Sequence, residues 1–239
     1  MTASHPELDR IAAAYARRGV RPPSRYTAYV QLERERHYRE LLLRLAPDLS
    51  QLTLVELGCG AGGELARLIQ LGLSPDRIRG VELLEVRVAQ ARHRLPESVS
   101  VAHGDATQTG LRACTQDVVF ISTVFSSILD PCFRSALAAE AWRIVRPGGA
   151  VLTYDFRVGN PRNRDVCGIP AAEFARLFPM ARGHCRAITL APPIGRAVAP
   201  LGPKVYRLLS SVPFLRTHLI GWFEKPFQPS TPGVPPCPP

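Results

Sequence analysis

Short apolar runs alternate with amphipathic segments through the middle of the 239-residue chain. The runs are bounded by glycine, proline or charged residues, which is typical of buried strands. The predicted strands are residues 52–57, 78–82, 99–103, 118–122 and 150–154. The segments between them have helical spacing, and they predict helices at residues 63–71, 85–95 and 133–145. Strands that alternate with helices require crossover connections, so we expect an α/β fold with a parallel sheet and helices on both faces.

The carboxyl-terminal part of the chain has a different pattern. Residues 186–190 and 218–223 predict an antiparallel pair that closes the sheet. Residues 195–211 between them have helical character that two prolines interrupt. Residues 228–239 are rich in proline and lack apolar periodicity, so we expect a disordered tail.

On the amino-terminal side, residues 11–18 predict a short helix and residues 28–45 an amphipathic one. The first ten residues, MTASHPELDR, lack the basic and then apolar pattern of a signal peptide. No stretch of the chain has the roughly 18 uninterrupted apolar residues that a membrane span needs. We therefore expect a cytoplasmic protein without a membrane span.

Arginine supplies almost all of the positive charge. The formal net charge is +10, and Lys204 and Lys225 are the only lysines. The arginines are spread along the chain, which favours a general preference for arginine over a dedicated basic surface. A nucleic-acid surface or an anionic small-molecule partner remains possible on this composition. The six cysteines form no CxxC pair and no Cys/His cluster with zinc spacing, so we expect no metal.

A glycine-rich turn, VELGCGAGG at residues 55–63, follows the first predicted strand. Glycines tolerate positive φ and let the backbone approach a ligand closely. Their G-x-G-x-G spacing differs from the G-x-G-x-x-G of dinucleotide-binding domains. The carboxylate of Glu56 precedes them, and it suits a positively charged cofactor better than a pyrophosphate.

This turn resembles the first motif of the class I (Rossmann-like) S-adenosylmethionine-dependent methyltransferases. Further residues follow at the intervals of that family: Glu82 at the end of the second strand, Asp105 after the third, DVVFIS at residues 117–122 and RPGG at residues 146–149. The resemblance covers residues 52–156. Within this family, the chain resembles the bacterial enzymes that methylate small molecules. It implies a doubly wound, mostly parallel seven-stranded sheet with an antiparallel closing strand.

The resemblance also implies S-adenosylmethionine as cofactor and S-adenosylhomocysteine as product. Glu82 would then bind the ribose hydroxyls, and Asp105 the adenine amino group. The residues expected to bind the cofactor are Glu56, Gly58, Cys59, Gly60, Gly62, Glu82, Leu83, Gly104, Asp105, Ala106, Ser122 and Thr123.

The methyl acceptor is less defined than the cofactor. The Asp-Asn pair of metal-dependent catechol-type enzymes is absent after the fifth strand, as is the [DNS]-P-P-[YFW] motif of amino-methylating DNA enzymes after the fourth. The Pro-Cys dipeptide of cytosine-C5 enzymes occurs at Pro131–Cys132 and Pro236–Cys237, without that family's other motifs. We therefore expect metal-independent transfer to an oxygen of a natural product or saccharide. An RNA or protein methyltransferase and a non-catalytic cofactor-binding member remain alternatives.

Candidate bases and acceptor-binding residues follow from their place in this fold. The candidate bases are Asp155, His103 and His218, although each histidine also suits a structural role. The candidate acceptor-binding residues are Tyr26, Phe125, Ser126, Arg157, Asn160 and Arg162, for which ordinary surface or loop positions are the alternative.

The expected domain organisation has three parts. Residues 1–45 form an amino-terminal arm and helix that cover the active site. Residues 46–227 form the catalytic domain, with a polar insertion at residues 157–170 and a helical lid at residues 195–215. The tail of residues 228–239 follows. We expect a monomer or homodimer.

Overall fold

The computed structural model describes residues 5–17, 22–160 and 163–227, which form a seven-stranded sheet in the order β3-β2-β1-β4-β5-β7-β6. The strands are β1 (Leu54–Leu57), β2 (Ile78–Glu82), β3 (Ser100–His103), β4 (Gln116–Ser122), β5 (Val145–Phe156), β6 (Arg182–Leu190) and β7 (Arg216–Glu224). The helices are α1 (Pro6–Ala16), α2 (Arg25–Leu42), α3 (Gly63–Gln70), α4 (Glu85–Arg94), α5 (Pro131–Ile144), α6 (Ala171–Leu177), α7 (Pro192–Val198) and α8 (Pro203–Ser210).

All strands of the sheet except β7 run in the same direction. The strand β1 pairs in parallel with β2 and β4, β2 pairs with β3, and β4 pairs with β5. The strand β7 is antiparallel to both β5 and β6. The predicted fold class is therefore confirmed, including the antiparallel closing strand. One edge of the sheet gathers the carboxyl ends of the parallel strands and the first residues of β7.

The sheet separates two hydrophobic cores. The helices α2, α3 and α4 cover one face and contribute buried side chains such as Leu42, Leu65 and Val88. The helices α5 and α6 cover the other face and contribute Leu137 and Phe174. Crossovers on both faces make the sheet doubly wound, which is the architecture expected from the sequence.

Helix caps explain why α1 and α2 begin earlier than the sequence pattern predicts. The side chain of His5 accepts a hydrogen bond from the backbone N–H of Glu7, and Pro6 occupies the first turn of α1. Ser24 and Thr27 form a reciprocal capping box at the start of α2. These capping residues precede the apolar positions on which the prediction rested.

The strand β5 is longer than predicted and includes the RPGG sequence at residues 146–149, which precedes the predicted strand at residues 150–154. Its pairing with β4 changes register between Gln116 and Val118. Gly148 has a φ of +75°, and its N–H donates to the carbonyl of Lys225. Residues 146–149 stay in the strand in spite of this irregularity. The strand β5 therefore begins immediately after the last residue of α5.

Two separate helices occupy the segment that predicted one interrupted helix. The helix α7 ends at a 3₁₀ turn, Ala199–Leu201, and α8 follows. Pro203 lies in the first turn of α8, where a missing N–H removes no helical hydrogen bond. A small cluster of Tyr26, Leu190 and Tyr206 packs this segment against α2 and β6.

Candidate active site

Three glycines with positive φ shape the turn between β1 and α3. Gly58, Gly60 and Gly62 have φ values of +76°, +55° and +74°. The N–H of Gly58 donates to the carbonyl of Val81 at 2.8 Å, which ties the turn to β2. A Cβ atom at Gly58 would lie 2.5 Å from Cγ2 of Val124, so this position requires glycine on steric grounds as well.

Glu82, at the end of β2, holds this turn in place. Its carboxylate accepts a hydrogen bond from the N–H of Gly60 at 2.8 Å and another from the N–H of Leu84 at 3.0 Å. Each carboxylate oxygen retains a lone pair, because such an oxygen accepts more than one bond. Glu82 is therefore able to order the turn and still accept hydrogen bonds from a ligand diol.

Glu56 lies beneath the turn with its carboxyl group buried. Its Oε2 atom has no hydrogen-bond partner within the protein. Burial, followed by the nearby carboxylate of Glu64, raises the pKa of Glu56 well above its usual value. A buried acceptor without a partner is costly, and a ligand cation or N–H donor would remove that cost. This observation fits a cofactor that carries an ammonium group.

Arg34 of α2 reaches the same edge of the sheet from the other side of the turn. Its guanidinium donates to the hydroxyl of Tyr38, to the carboxylate of Glu64 at 2.7 Å and to Oγ of Ser122 at 3.0 Å. It also lies 4.0 Å from the ring centroid of Tyr154, at the end of β5. Burial opposes its charge, but the tyrosines and Glu64 raise the pKa of Arg34 above its usual value.

His218, at the start of β7, completes this buried polar cluster. Its ring stacks on Tyr154 with a centroid separation of 4.8 Å. Its Nδ1 atom lies 3.1 Å from the hydroxyl of Thr217. Burial, with a further contribution from the charge of Arg34, lowers the pKa of His218 to about 3. The imidazole is therefore neutral at physiological pH.

A pocket lies beside the glycine turn, over the ends of β2 and β3. Its lining includes six residues that the sequence predicts to bind the cofactor: Gly58, Glu82, Leu83, Gly104, Asp105 and Ala106. The carboxylate of Asp105 accepts from the N–H and the hydroxyl of Thr107, both at 2.8 Å. The pocket therefore brings together residues from three separate loops at the sheet edge.

The helix α1 covers this pocket. Leu8, Ile11 and Tyr15 line it from the side that faces away from the sheet. Glu7 anchors the helix, because its carboxylate accepts from the N–H of Leu129 at 2.6 Å. Arg10 donates to that carboxylate at 2.9 Å and also to the carbonyl of Ser127. A ligand in the pocket would contact α1 directly.

The remaining candidate cofactor residues are distributed differently. Cys59 is buried in the core, with its Sγ atom next to Gly80. Gly62 is the N-cap residue of α3 and packs against Leu95. Ser122 accepts from Arg34, and Thr123 adopts a φ of +57° immediately after β4. These residues shape the edge of the site, and Cys59 faces the core.

Three candidates lie in or beside the core between the sheet and the helices α5 and α6. Asp155 is fully buried and accepts from the N–H groups of Ser126 at 3.1 Å and Phe156 at 2.8 Å. Burial raises the pKa of Asp155 to about 6. Phe125 packs edge-on against Phe174. Together these contacts fix the loop that follows β4.

The other candidates are separated from this cluster. His103 is exposed, and its Nε2 atom lies 2.8 Å from the carbonyl of Leu83. The hydroxyl of Tyr26 donates to the carbonyl of Leu190 beneath α7. Arg157 is half-buried next to Pro213, and Asn160 is exposed. Arg162 and the tail of residues 228–239 lie outside the described residues, as does Cys237.

Arg34, Glu64 and the α1 residues that line the pocket are not among the residues predicted from the sequence to form the site. Arg34 and Tyr38 are four residues apart, which places them on one face of α2. That spacing was the available signal, but it does not show which strand ends the pair contacts. In the described parts of the chain, no group of three or more His, Cys, Asp or Glu side chains is placed to hold a metal ion.

Comparison with known proteins identifies the domain that carries this site. Residues 55–153 match the family model described as "Methyltransferase domain". These residues are a class I methyltransferase domain. The match spans the glycine turn, Glu82 and Asp105, so it confirms the predicted family and its cofactor, S-adenosylmethionine. It covers β1–β4 and most of β5 and leaves both flanks outside.

Curated relatives extend beyond the aligned region. The phthiotriol/phenolphthiotriol dimycocerosates methyltransferase 1 of Mycobacterium ulcerans is 31% identical over 65% of this chain and 58% of its own length. The trans-aconitate 2-methyltransferase of Azoarcus sp. is 31% identical over 56% of this chain and 48% of its own length. The chain thus covers about half the length of these relatives.

Solved structures agree with the fold. The geranyl diphosphate C-methyltransferase of Streptomyces coelicolor superposes with a TM-score of 0.61 at 18% identity, covering 92% of this chain and 98% of that one. An S-adenosylmethionine-dependent methyltransferase of Archaeoglobus fulgidus gives a TM-score of 0.55 at 14% identity, covering 80% and 94%. No helix in the described portion is long and apolar enough to cross a membrane.

Proposed function

We propose that this chain is an enzyme that transfers a methyl group from S-adenosylmethionine to an oxygen of a small-molecule acceptor without a metal. The observation that carries the proposal is the convergence of Gly58, Glu82 and Asp105 on one pocket at the sheet edge. Ligands of open α/β sheets bind at this edge. The names of the curated relatives also describe small-molecule methyltransferases.

The charges around the turn complement an amino-acid zwitterion. Glu56 offers a buried carboxyl oxygen without a partner, and Glu64 lies close to it. Arg34 offers a guanidinium next to Glu64 and Ser122. In the proposal, the carboxyl groups bind the cofactor's ammonium group and Arg34 binds its carboxylate. Glu82 binds the ribose hydroxyls, and Asp105 binds the adenine amino group.

The cofactor supplies an electrophilic methyl group on a sulfonium whose leaving thioether is neutral. The protein therefore has to align the acceptor and exclude water, and positioning alone lowers the barrier by several kcal/mol. The helix α1 lines the pocket, and in the proposal the buried cluster of Arg34, Tyr154 and His218 closes the other end of the site. This enclosure is the chain's main contribution in the proposal.

A proton must leave the acceptor only if its oxygen is protonated at the start. His218 is the candidate base that lies with Arg34 and Tyr154, and its pKa of about 3 makes it a weak base. Asp155 is already engaged by two backbone donors. The proposal therefore favours an acceptor oxygen that is acidic or already ionised, such as a phenol or a carboxyl group, over an ordinary sugar hydroxyl.

The proposed organisation extends to the flanking segments. In the proposal, the amino-terminal arm of residues 1–45 covers the site through its described helices, since α1 lines the pocket and α2 supplies Arg34. Residues 46–227 carry the catalytic domain. In the proposal, the insertion at residues 157–170 and the lid at residues 195–215 border the acceptor.

The test uses the purified full chain and S-adenosylmethionine with a labelled methyl group. Calorimetry should detect binding of S-adenosylhomocysteine, and absence of binding would reject the proposal. Labelled methyl should then appear on members of a panel of phenols and carboxylic acids and stay absent from neutral sugars. Transfer to sugars alone would retain the enzyme class and reject the proposed acceptor chemistry.

A further inference from the structure

The segment of residues 191–217 between β6 and β7 has an unusual composition. It contains Arg196, Lys204, Arg207 and Arg216, and it contains no aspartate or glutamate. Most of its other residues are apolar or proline. A folded surface normally intersperses positive and negative side chains. This segment departs from that norm, because all of its charged side chains are positive.

Large apolar side chains of this segment point to the solvent. Phe214 is 82% exposed, Leu208 is 70% exposed and Leu201 is 67% exposed. Phe214 lies in the 3₁₀ turn Pro213–Leu215, and Leu208 lies on α8. Single exposed apolar residues are ordinary, but several within one short basic segment are a recognised sign of an interaction surface.

The helix α2 extends the same surface. An open cavity of about 450 Å³ lies between α2 and α8. Its lining combines the exposed side chain of Leu32 with Arg36 from α2 and Arg207 and Arg216 from the other side, so that three cations surround one carboxylate, that of Glu33. The basic side chains of α2 and of the segment that contains α8 therefore meet at this cavity, and the exposed apolar side chains of the same segment extend the patch along the chain. We name this patch, residues 201–216 together with Leu32 and Arg36, the basic-apolar face.

We propose that the basic-apolar face docks onto an anionic lipid bilayer. A bilayer surface offers both features that the face complements, since its head groups carry negative charge and its acyl region accepts leucine and phenylalanine. A second copy of the chain is a poor occupant, because a two-fold interface would bring these cations against one another. A nucleic acid would use the ring of Phe214 and the guanidinium groups, on which bases stack, but it would leave the exposed leucines Leu32, Leu201 and Leu208 without a partner.

The binding would be interfacial, because the structure shows no helix in the described residues that could span the membrane. Amphipathic helices with basic and apolar side chains bury their apolar face about 5–10 Å into the boundary between head groups and acyl chains. Docking through this face would place α8 and the edge strand β6 next to the lipid. This inference does not rest on methyl transfer, since vesicle binding is measured without cofactor or acceptor.

The experiment is co-sedimentation of the full chain with vesicles of phosphatidylcholine, with and without phosphatidylglycerol. We expect sedimentation with the phosphatidylglycerol vesicles only, and we expect it to weaken as salt is added. The double variant Lys204→Gln/Arg207→Gln should weaken binding roughly 30-fold, because each cation near an anionic surface contributes about fivefold. The double variant Leu208→Ser/Phe214→Ser should weaken it by at least about 10-fold.

Matched controls lie at the other end of β6. Met180→Ser removes an apolar side chain that is 70% exposed, and Arg176→Gln removes a cation on α6. Both should bind vesicles like the unchanged protein. Because all substituted positions are exposed, the thermal unfolding of every variant should match that of the unchanged protein.

Three results would overturn the inference. The first is no sedimentation with phosphatidylglycerol vesicles at low salt. The second is equal loss of binding in the control variants. The third is self-association or binding of mixed-sequence RNA through the same four positions without vesicle binding. None of these results bears on cofactor binding, so the proposed function would be tested separately.

Discussion

The guanidinium of Arg34, on α2, lies 4.0 Å from the ring centroid of Tyr154, at the end of β5. The same guanidinium donates to Ser122, at the end of β4. One side chain from outside the parallel sheet therefore joins the ends of its two central strands. Because Glu64 follows the glycine turn and also bonds to Arg34, this contact links α2 to the cofactor side of the site.

Replacing Arg34 should weaken cofactor binding. Hydrogen bonds to charged groups contribute about 1.5–3 kcal/mol, so Arg34→Gln should raise the dissociation constant of S-adenosylhomocysteine about 10- to 100-fold. Arg34→Lys keeps the charge and loses the planar fork, so its effect should be intermediate. Calorimetry measures both, with exposed Arg44→Gln as the control. A dissociation constant that stays the same in Arg34→Gln would separate the arginine from the cofactor site.

Glu82→Gln should impair both the turn and ribose recognition. The amide keeps one acceptor oxygen, but its NH₂ group would face one of the two backbone donors, Gly60 N–H or Leu84 N–H. We expect affinity for S-adenosylhomocysteine to fall at least about 10-fold. Exposed Glu85→Gln, three residues away, should leave the affinity unchanged. If both variants bind alike, the carboxylate of Glu82 has no part in binding.

The anchor of α1 should control access to the pocket. Glu7→Ala removes the acceptor for the Leu129 N–H and the partner of Arg10. Amide exchange in residues 5–17 should accelerate roughly 10-fold, because a charge-assisted bond contributes about 1.5 kcal/mol or more. Cofactor release should accelerate with it in stopped-flow measurements. Exposed Glu97→Ala is the control, and unchanged exchange in Glu7→Ala would show that other contacts hold the helix.

Two buried groups should give opposite pH dependences of stability. The pKa of His218 is lowered to about 3, so its contribution is present above pH 6.5 and is lost as the pH falls towards 3. The pKa of Asp155 is raised to about 6, so its contribution is present below pH 3.8 and is lost as the pH rises through 6. Between about pH 4 and 6 the two effects oppose each other.

Single substitutions should reveal each slope. In His218→Phe, the free energy of unfolding should decrease with pH between 4 and 6, by up to about 1.4 kcal/mol per pH unit relative to the unchanged protein. In Asp155→Asn it should increase with pH over the same range. Urea unfolding at several pH values measures both slopes. Parallel curves for the three proteins would contradict these pKa assignments.

The sequence predicted the strands because their burial pattern is local. Each β1–β5 run is short, apolar and bounded by turn residues, and the parallel order follows from the helices between the runs. The predicted strand limits differ from the structure where a segment distant in the sequence pairs with the strand. The RPGG residues belong to β5 because the residues after β7 pair with them, and that partner is about 75 residues away in the chain.

The features of the site also divide into those that depend on local sequence and those that depend on distant segments. The sequence by itself places Glu56, the glycine turn, Glu82 and Asp105 at one edge of the sheet, because each lies near the carboxyl end of a predicted strand or just after it. The sequence could not show that Cys59 faces the core or that Asp155 accepts bonds from the loop after β4. Those outcomes depend on which face of the sheet a side chain takes and on what packs there.

By itself, the sequence determined a doubly wound sheet and a glycine turn for a cofactor with a positive charge, since both depend on residues close in the chain. Only the tertiary structure decided that Arg34 meets Tyr154, that α1 covers the pocket and that His218 is neutral. The reason is that burial and electrostatic environment arise from segments far apart in the sequence, and these two properties set the chemistry of a side chain.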